Sequence, residues 1–158
     1  MPIPHFRLAL GRFSTGVTIV TCIDEHGQRV GLTANSFNAL SLDPPLVLWS
    51  LRESSANLPV FAAAGHFAIN VLSEAQVDLS RRFAARGEDK FTDGDWSQGE
   101  YGSPVLAGCA AVFECATHAQ HAVGDHTLFI GRVLACTESA LPPLVYRGGH
   151  YHALGDVL

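Results

Sequence analysis

The residues best suited to hold a ligand lie in the stretch 31–45, which has no charged side chain before Asp43. Its polar side chains carry hydroxyl or amide groups and are Thr33, Asn35, Ser36, Asn38 and Ser41. Hydroxyls, amides and free backbone N–H groups in a compact setting suit an anionic ligand that is rich in hydrogen-bond acceptors. A polar connection between two strands has a similar composition, so the stretch alone leaves both interpretations open.

Histidine is the second residue type that could take part in chemistry, and His126 stands out among the eight present. It follows Gly124 and Asp125 at the start of a predicted strand, where it could contact a ligand or bond to the backbone of a turn. His150 and His152 share one face of a strand and could, with His126, supply three imidazoles to a metal ion. No carboxylate or cysteine has a recognisable ligand spacing from them, so we predict no metal site.

Two further segments carry groups that could bind a phosphate. The candidates before the predicted helix 58–64 are polar residues that could cap its first N–H groups, namely Ser54, Ser55 and Asn57. The candidates on or after the next helix are the cations around Phe83, namely Arg81, Arg82 and Arg86. A cationic cluster beside an aromatic ring suits an anionic, planar ligand, and it also suits a solvated helix face.

Several common nucleotide and hydrolase motifs are missing from the sequence. It contains no G-x-G-x-x-G and no G-x-x-x-x-G-K-[ST], so a Rossmann or P-loop nucleotide site is not expected. It also lacks the G-x-S-x-G elbow of the α/β-hydrolases. Any dinucleotide would have to be held in another way.

Composition narrows the class of protein. The chain has 158 residues, 47% of them hydrophobic and 16% charged, which indicates a single globular domain, residues 1–158, with some apolar surface covered in an oligomer. A net charge of −5 argues against nucleic-acid binding. Neither a signal peptide nor an apolar run of about 20 residues is present, so we expect a cytoplasmic protein that does not enter the membrane. The cysteines form no C-x-x-C pair, and we expect four buried, reduced thiols at Cys22, Cys109, Cys115 and Cys136.

The pattern of elements is richer in strand than in helix. Predicted strands cover residues 17–23, 29–34, 46–49, 67–72, 112–119, 127–136 and 144–146. Predicted helices cover residues 5–13 and 58–64 and, after a capping box at residues 73–76, continue to about residue 84. The polar residues 87–102 are predicted to form a mobile loop over the site. Together these elements favour a mainly β fold, an antiparallel Greek-key barrel with peripheral helices.

Five segments, taken in order, resemble the short-chain flavin reductases. The most specific is GLTANSFNALSLDPPLV, residues 31–47, and the others are residues 13–21, 67–72, 124–131 and 144–151. Each motif is weak alone, but five in sequence cover nearly the whole chain. The resemblance implies the FMN-binding split barrel, a homodimer with flavin sites near the subunit interface. It also implies an NADH- or NADPH-dependent oxidoreductase that reduces FMN or FAD and supplies reduced flavin to a separate monooxygenase.

The resemblance also implies roles for individual residues. The isoalloxazine ring and ribityl chain would meet Thr33, Ala34, Asn35 and Ser36, largely through the backbone. The phosphate end would meet Ser50, Ser55 and Asn57, while Arg82, Phe83 and Lys90 would lie near the flavin. His126 would position the nicotinamide for hydride transfer without abstracting a proton, and Tyr151 is a second candidate for this region.

Two other functions fit the same barrel. One is an oxidase with tightly held FMN, of the pyridoxamine-phosphate oxidase-like type, although that type would need more basic residues around a substrate phosphate than the ten present here. The other is a protein that binds flavin or haem without catalysis. The sequence leaves open the choice between FMN and FAD and the choice between NADH and NADPH.

Overall fold

The computed structural model describes residues 2–87 and 89–158. Met1, within the predicted domain 1–158, and Glu88, within the predicted loop 87–102, lie outside the described residues. The helices are α1 (Ile3–Leu10), α2 (Leu58–Ala63) and α3 (Val77–Ala84), with 3₁₀ turns at Glu74–Gln76 and Lys90–Thr92. The strands are β1 (Thr15–Gly16), β2 (Thr18–Ile23), β3 (Arg29–Ala34), β4 (Asn38–Leu42), β5 (Pro45–Arg52), β6 (His66–Val71), β7 (Trp96–Gln98), β8 (Pro104–Leu106), β9 (Ala111–Val123), β10 (His126–Glu138), β11 (Val145–Arg147) and β12 (His150–His152).

Seven of these strands form one antiparallel sheet in the order β3-β2-β6-β9-β10-β5-β4. In a flat sheet of this size the two edge strands would lie about 29 Å apart. The edges β3 and β4 are joined by only three residues, 35–37, a link that can span at most about 14 Å. The sheet is therefore rolled into a barrel that stays open between its edges. The prediction of a mainly β, split-barrel fold is confirmed.

Alternation along β10 explains how the sheet fills its interior. Thr127, Phe129 and Gly131 are buried, whereas Leu128 and Ile130 between them are only partly buried, as expected for a strand with one face toward a core. Inside the barrel, Trp49 stacks on Phe129 with ring centroids 4.8 Å apart. Gly131 has no room for a side chain, because a Cβ there would lie 2.5 Å from the Phe67 ring.

A second core lies under α3. Phe83, Phe91 and Trp96 pack against one another with centroids between 4.8 and 5.3 Å apart. Phe91 is only 8% exposed, and Trp96 belongs to β7, which pairs with β8. The prediction that residues 87–102 form a mobile loop is thus wrong for this part of the segment, because Phe91 is buried in the core and Trp96, partly buried, packs against it.

Three local predictions have different outcomes. The capping box is confirmed, since the Gln76 side chain accepts a hydrogen bond from the Ser73 N–H at 3.0 Å. The first helix covers Ile3–Leu10 and not residues 5–13, because the chain turns at Gly11. Three cysteines are buried, but Cys136 is exposed, so its predicted burial is wrong.

Burial raises the pKa of three thiols, those of Cys22, Cys109 and Cys115, to about 12. No described helix is both long and apolar enough to cross a membrane.

Candidate active site

A cleft of about 1580 Å³ opens between the rolled sheet and α3. It is lined by residues 28–36, 50–52, 54–57, 83–87 and 89–91 and by His126. Its volume exceeds the roughly 300–1,000 Å³ that is typical of a pocket for one small molecule. The cleft therefore has room for two ligands.

One wall of the cleft is uncharged and is fixed by hydroxyl groups. Thr33, near the end of β3, donates from Oγ1 to the Ser80 carbonyl of α3 at 2.7 Å. Ser36 accepts from the Ser50 N–H at 2.9 Å and donates to the Ser50 carbonyl at 3.1 Å. These two hydroxyls hold the backbone in place, so what this wall can offer a ligand is the backbone of residues 33–36 and the exposed Asn35 side chain.

The floor of the cleft is aromatic and depends on a glycine. Phe83 and Phe91 both line it, and their rings meet edge to face at 5.0 Å. A Cβ at Gly31 would lie 2.9 Å from the Phe83 ring and 3.1 Å from the Phe91 ring. Glycine at position 31 therefore lets both rings pack directly against β3.

The cleft also carries a concentration of positive charge. Four of the ten lysines and arginines line it, namely Arg29, Arg52, Arg86 and Lys90. Within residues 2–87 and 89–158, none of the four has a carboxylate within 4.0 Å, and Asp89 is the lining carboxylate. In a chain with a net charge of −5 this concentration of positive charge suits the phosphates of a nucleotide.

Two of these cations are held by their surroundings. The Arg29 guanidinium lies 4.9 Å from the centre of the Phe91 ring. Lys90 donates from Nζ to the Phe83 carbonyl at 3.1 Å, and burial lowers the pKa of Lys90. A bound anion near the Lys90 ammonium would favour its charged form and so oppose this effect of burial.

The polar residues before α2 also line the cleft, but they do not cap the helix as predicted. Asn57 itself has helical φ and ψ and makes no capping hydrogen bond through its side chain. Instead, Ser55 Oγ accepts from the Asn57 N–H at 3.3 Å. Ser55 and Asn57 are thus placed at the cleft, with Ser54 beside them.

His126 begins β10, where it pairs with Arg52 of β5 and Val123 of β9. Its Nδ1 lies 2.7 Å from Oδ1 of Asp125. This hydrogen bond and the charge of a protonated imidazole lower the pKa of Asp125, so the carboxyl is ionised and can only accept. When the His126 ring is neutral, an ionised Asp125 beside Nδ1 therefore favours the proton on Nδ1, which leaves Nε2 as an acceptor for a ligand N–H.

The structure brings ten of the twelve predicted site residues to this cleft and leaves out Arg82 and Tyr151. Arg82 instead forms an ion pair with Asp93 at 2.6 Å and donates to the Lys90 carbonyl at 3.1 Å. It anchors the segment after α3, and Arg86 is the member of its cluster that reaches the cleft.

Tyr151 lies behind the wall of the cleft. Its hydroxyl is 2.7 Å from Ser80 Oγ, and the carbonyl of Ser80 is the group that Thr33 binds. Tyr151 therefore supports the uncharged wall from outside, and the structure does not place it in the lining.

The lining residues that were not predicted as site residues include Gly31, Arg29 and Arg52. Gly31 is the first residue of the segment 31–47, and the lack of a side chain there was the sequence signal that could have identified it. Arg29 and Arg52 stand at strand ends, and only the pairing of strands far apart in sequence brings them to one cleft. No group of three or more histidine, cysteine, aspartate or glutamate side chains in the described part of the chain is placed to hold a metal ion.

Comparisons with known proteins agree with the fold. Residues 10–155 match the family model described as flavin reductase like domain. The chain is 49% identical over 146 residues to a probable flavin reductase of Rhizobium meliloti, covering 92% of this chain but only 47% of that protein. It is also 49% identical over 146 residues to an FMN reductase (NADH), SmoA, of Agrobacterium fabrum, covering 92% of this chain and 83% of that one.

A solved structure gives the same result. The NADH:FAD oxidoreductase SgcE6 of Streptomyces globisporus, in complex with NAD and FAD fragments, superposes with a TM-score of 0.91 at 37% identity. The match covers 96% of this chain and 92% of that one. Because the family model and these relatives extend over nearly all of the sequence, the chain belongs to the flavin reductase-like family.

Proposed function

We propose that the protein is a flavin reductase that transfers hydride from NADH or NADPH to FMN or FAD. The observation that carries this proposal is a cleft with room for two ligands, lined by an uncharged wall, four cations without a carboxylate partner among the described residues, and His126. Relatives whose names specify NADH as the reductant support the choice of nicotinamide.

The protein's part in this reaction is binding and orientation. Bound flavin and reduced nicotinamide supply the hydride chemistry themselves. The backbone of residues 33–36 would hold the ring and ribityl part of the flavin, and Ser50, Ser55 and Asn57 would face its phosphate end. The four cations would neutralise phosphates of either nucleotide.

His126 would orient the nicotinamide. Since Nδ1–H is bound to Asp125, Nε2 can accept a hydrogen bond from the amide N–H₂ of a nicotinamide carboxamide. Such a contact fixes the ring in one orientation and moves no proton, in keeping with hydride transfer that depends mainly on alignment.

We also propose that reduced flavin is passed to a separate monooxygenase. Relatives are named as reductase components of flavin-dependent monooxygenases, one of them acting with a trigonelline monooxygenase in Acinetobacter baylyi. A flavin that leaves the site would behave kinetically as a substrate, so the rate should saturate with added flavin.

The test is NADH oxidation, followed by the loss of reduced-nicotinamide absorbance, with FMN, FAD and riboflavin added in turn and then with NADPH. We expect catalytic turnover that rises with free flavin and falls in His126→Ala. Turnover with tightly bound flavin and no dependence on added flavin would favour the oxidase alternative. Flavin binding without any turnover would favour a binding protein.

We also propose that the protein is a homodimer. Phe6, Leu10 and Phe13 recur at helical spacing on or just after α1 and are 46%, 56% and 73% exposed. A face of this kind is covered when two copies associate. Sedimentation equilibrium should give twice the chain mass of 16.9 kDa, and Leu10→Glu should lower it toward the monomer.

We further propose a cytoplasmic location and a single domain formed by residues 1–158. Three buried thiols without a disulfide suit a reducing compartment. Seven strands, which range from residue 18 to residue 138, share one sheet, and this supports a single folding unit. Cell fractionation and a single cooperative unfolding transition, seen by two different probes, are the corresponding measurements.

A further inference from the structure

The position of His126 leaves it open to fraying. It is the first residue of β10, and its pair with Arg52 is the last in the register of β10 with β5. The turn before it contains Gly124 at φ +62°, and its side chain is 37% exposed. Terminal pairs of a sheet open more readily than internal ones, so a side chain at this point needs other contacts to stay in place.

Glu53 supplies two such contacts, one on each side of His126. Its backbone N–H donates to the Asp125 carbonyl at 2.9 Å. Its carboxylate Oε1 accepts from the Thr127 hydroxyl at 2.5 Å. Thr127 is 9% exposed whereas Glu53 is exposed, so this hydrogen bond is buried at its Thr127 end.

Glu53 itself does not line the cleft, although its neighbours Arg52 and Ser54 do. Successive side chains of a strand point to opposite faces. The hydrogen bonds from Glu53 to the Thr127 hydroxyl and to the Asp125 carbonyl therefore fix the backbone of His126. They do not occupy the side on which the His126 ring would meet a ligand.

We propose that Glu53 is a positioning residue that holds His126 in the orientation needed to align the nicotinamide. The inference rests on the proposed function. Loss of the carboxylate frees Thr127 and leaves a buried hydroxyl without its partner, so the hairpin tip carrying His126 gains freedom. Alignment of reacting groups is sensitive to small displacements, and we expect kcat/KM for NADH to fall about tenfold or more.

The experiment compares five variants with the unaltered protein, namely Glu53→Ala, Glu53→Gln, Thr127→Val, the double variant Glu53→Ala/Thr127→Val, and the control Glu138→Ala. Glu138 is exposed at the far end of β10. We expect Glu53→Ala and Thr127→Val each to lower kcat/KM for NADH, the double variant to be no worse than either one, and Glu53→Gln to recover most of the activity. The dissociation constant for flavin should stay unchanged throughout. Additive losses, or full activity in Glu53→Ala, would overturn the inference.

A second cycle tests whether Glu53 acts through His126. In a His126→Ala background, adding Glu53→Ala should cause no further loss, whereas an equal loss in both backgrounds would overturn the positioning role. Backbone amide exchange of His126 and Thr127 should speed up in Glu53→Ala and stay unchanged in the control. Amide exchange does not depend on turnover, so the two failures can be told apart. Absence of NADH oxidation in the unaltered protein would contradict the proposed function, whereas unchanged amide exchange in Glu53→Ala would contradict the positioning role of Glu53.

Discussion

Gly31→Ala is the substitution whose effect can be worked out most directly from the structure. The new methyl carbon would lie 2.9 Å and 3.2 Å from two atoms of the Phe83 ring and 3.1 Å from the Phe91 ring. Phe83 is 1% exposed and Phe91 is 8% exposed, and both rings also pack on Trp96. Neither ring can withdraw without displacing the other, so the methyl group overpacks this core.

Overpacking of this kind costs about 1–3 kcal/mol of the free energy of unfolding. Urea denaturation followed by far-UV circular dichroism should show that loss as a lower midpoint with an unchanged slope. Because Phe83 and Phe91 also form the floor of the cleft, fluorescence titration should show weaker flavin binding as well. Gly65→Ala is the matched control, since a Cβ there meets nothing within 4 Å.

A double variant sharpens the test. Phe83→Leu on its own removes buried ring atoms and should destabilise the protein. Combined with Gly31→Ala it makes room for the methyl group, so the two losses should add to less than their sum. If Gly31→Ala unfolds at the same urea concentration as the unaltered protein, the two rings have space to move and the packing argument is wrong.

Three further outcomes follow from the contacts described. Ser36→Ala removes both hydrogen bonds to Ser50 and should lower the free energy of unfolding by about 1–3 kcal/mol in urea titration, with weaker flavin binding. The native protein at pH 8 should consume one equivalent of a thiol reagent per chain, at Cys136. The three buried thiols have a pKa of about 12 and form almost no thiolate, so they should not react. Reaction of a second thiol would contradict this burial. The Asp125 carboxyl has a lowered pKa in the folded protein. Its contribution to stability should therefore be present above its ordinary pKa of 3.8 and be lost as pH falls through the folded value. Acid unfolding of Asp125→Asn, compared with that of the unaltered protein, would check this.

Patterns that depend on neighbouring residues were readable from the sequence. The strand predicted over residues 127–136 corresponds to β10, because the pattern that identifies a strand lies within a few consecutive residues. The capping box at Ser73 and Gln76 was visible for the same reason, since both partners lie within one turn. The polar stretch that includes Thr33 and Ser36 is also local, and it marked one wall of the cleft before the fold was known.

Features that depend on distant partners were decided only by the tertiary structure. The sequence could not separate Arg82 from Arg86, because the carboxylate that holds Arg82 belongs to Asp93, eleven residues away on another segment. Tyr151 was placed near the nicotinamide by resemblance, yet its hydroxyl meets Ser80, 71 residues earlier in the chain.

Contacts between distant segments also explain why the remaining residues line the cleft. Arg52 and His126 are neighbours because β5 pairs with β10. The residues close to each of them in sequence do not indicate which strands pair. Burial of Phe91 likewise depends on α3 and β3 folding over it. The sequence alone therefore determined seven of the twelve described strands, one polar wall and the family resemblance. Long-range strand pairing and packing decided which charges face the ligand and which residues hold His126 in place.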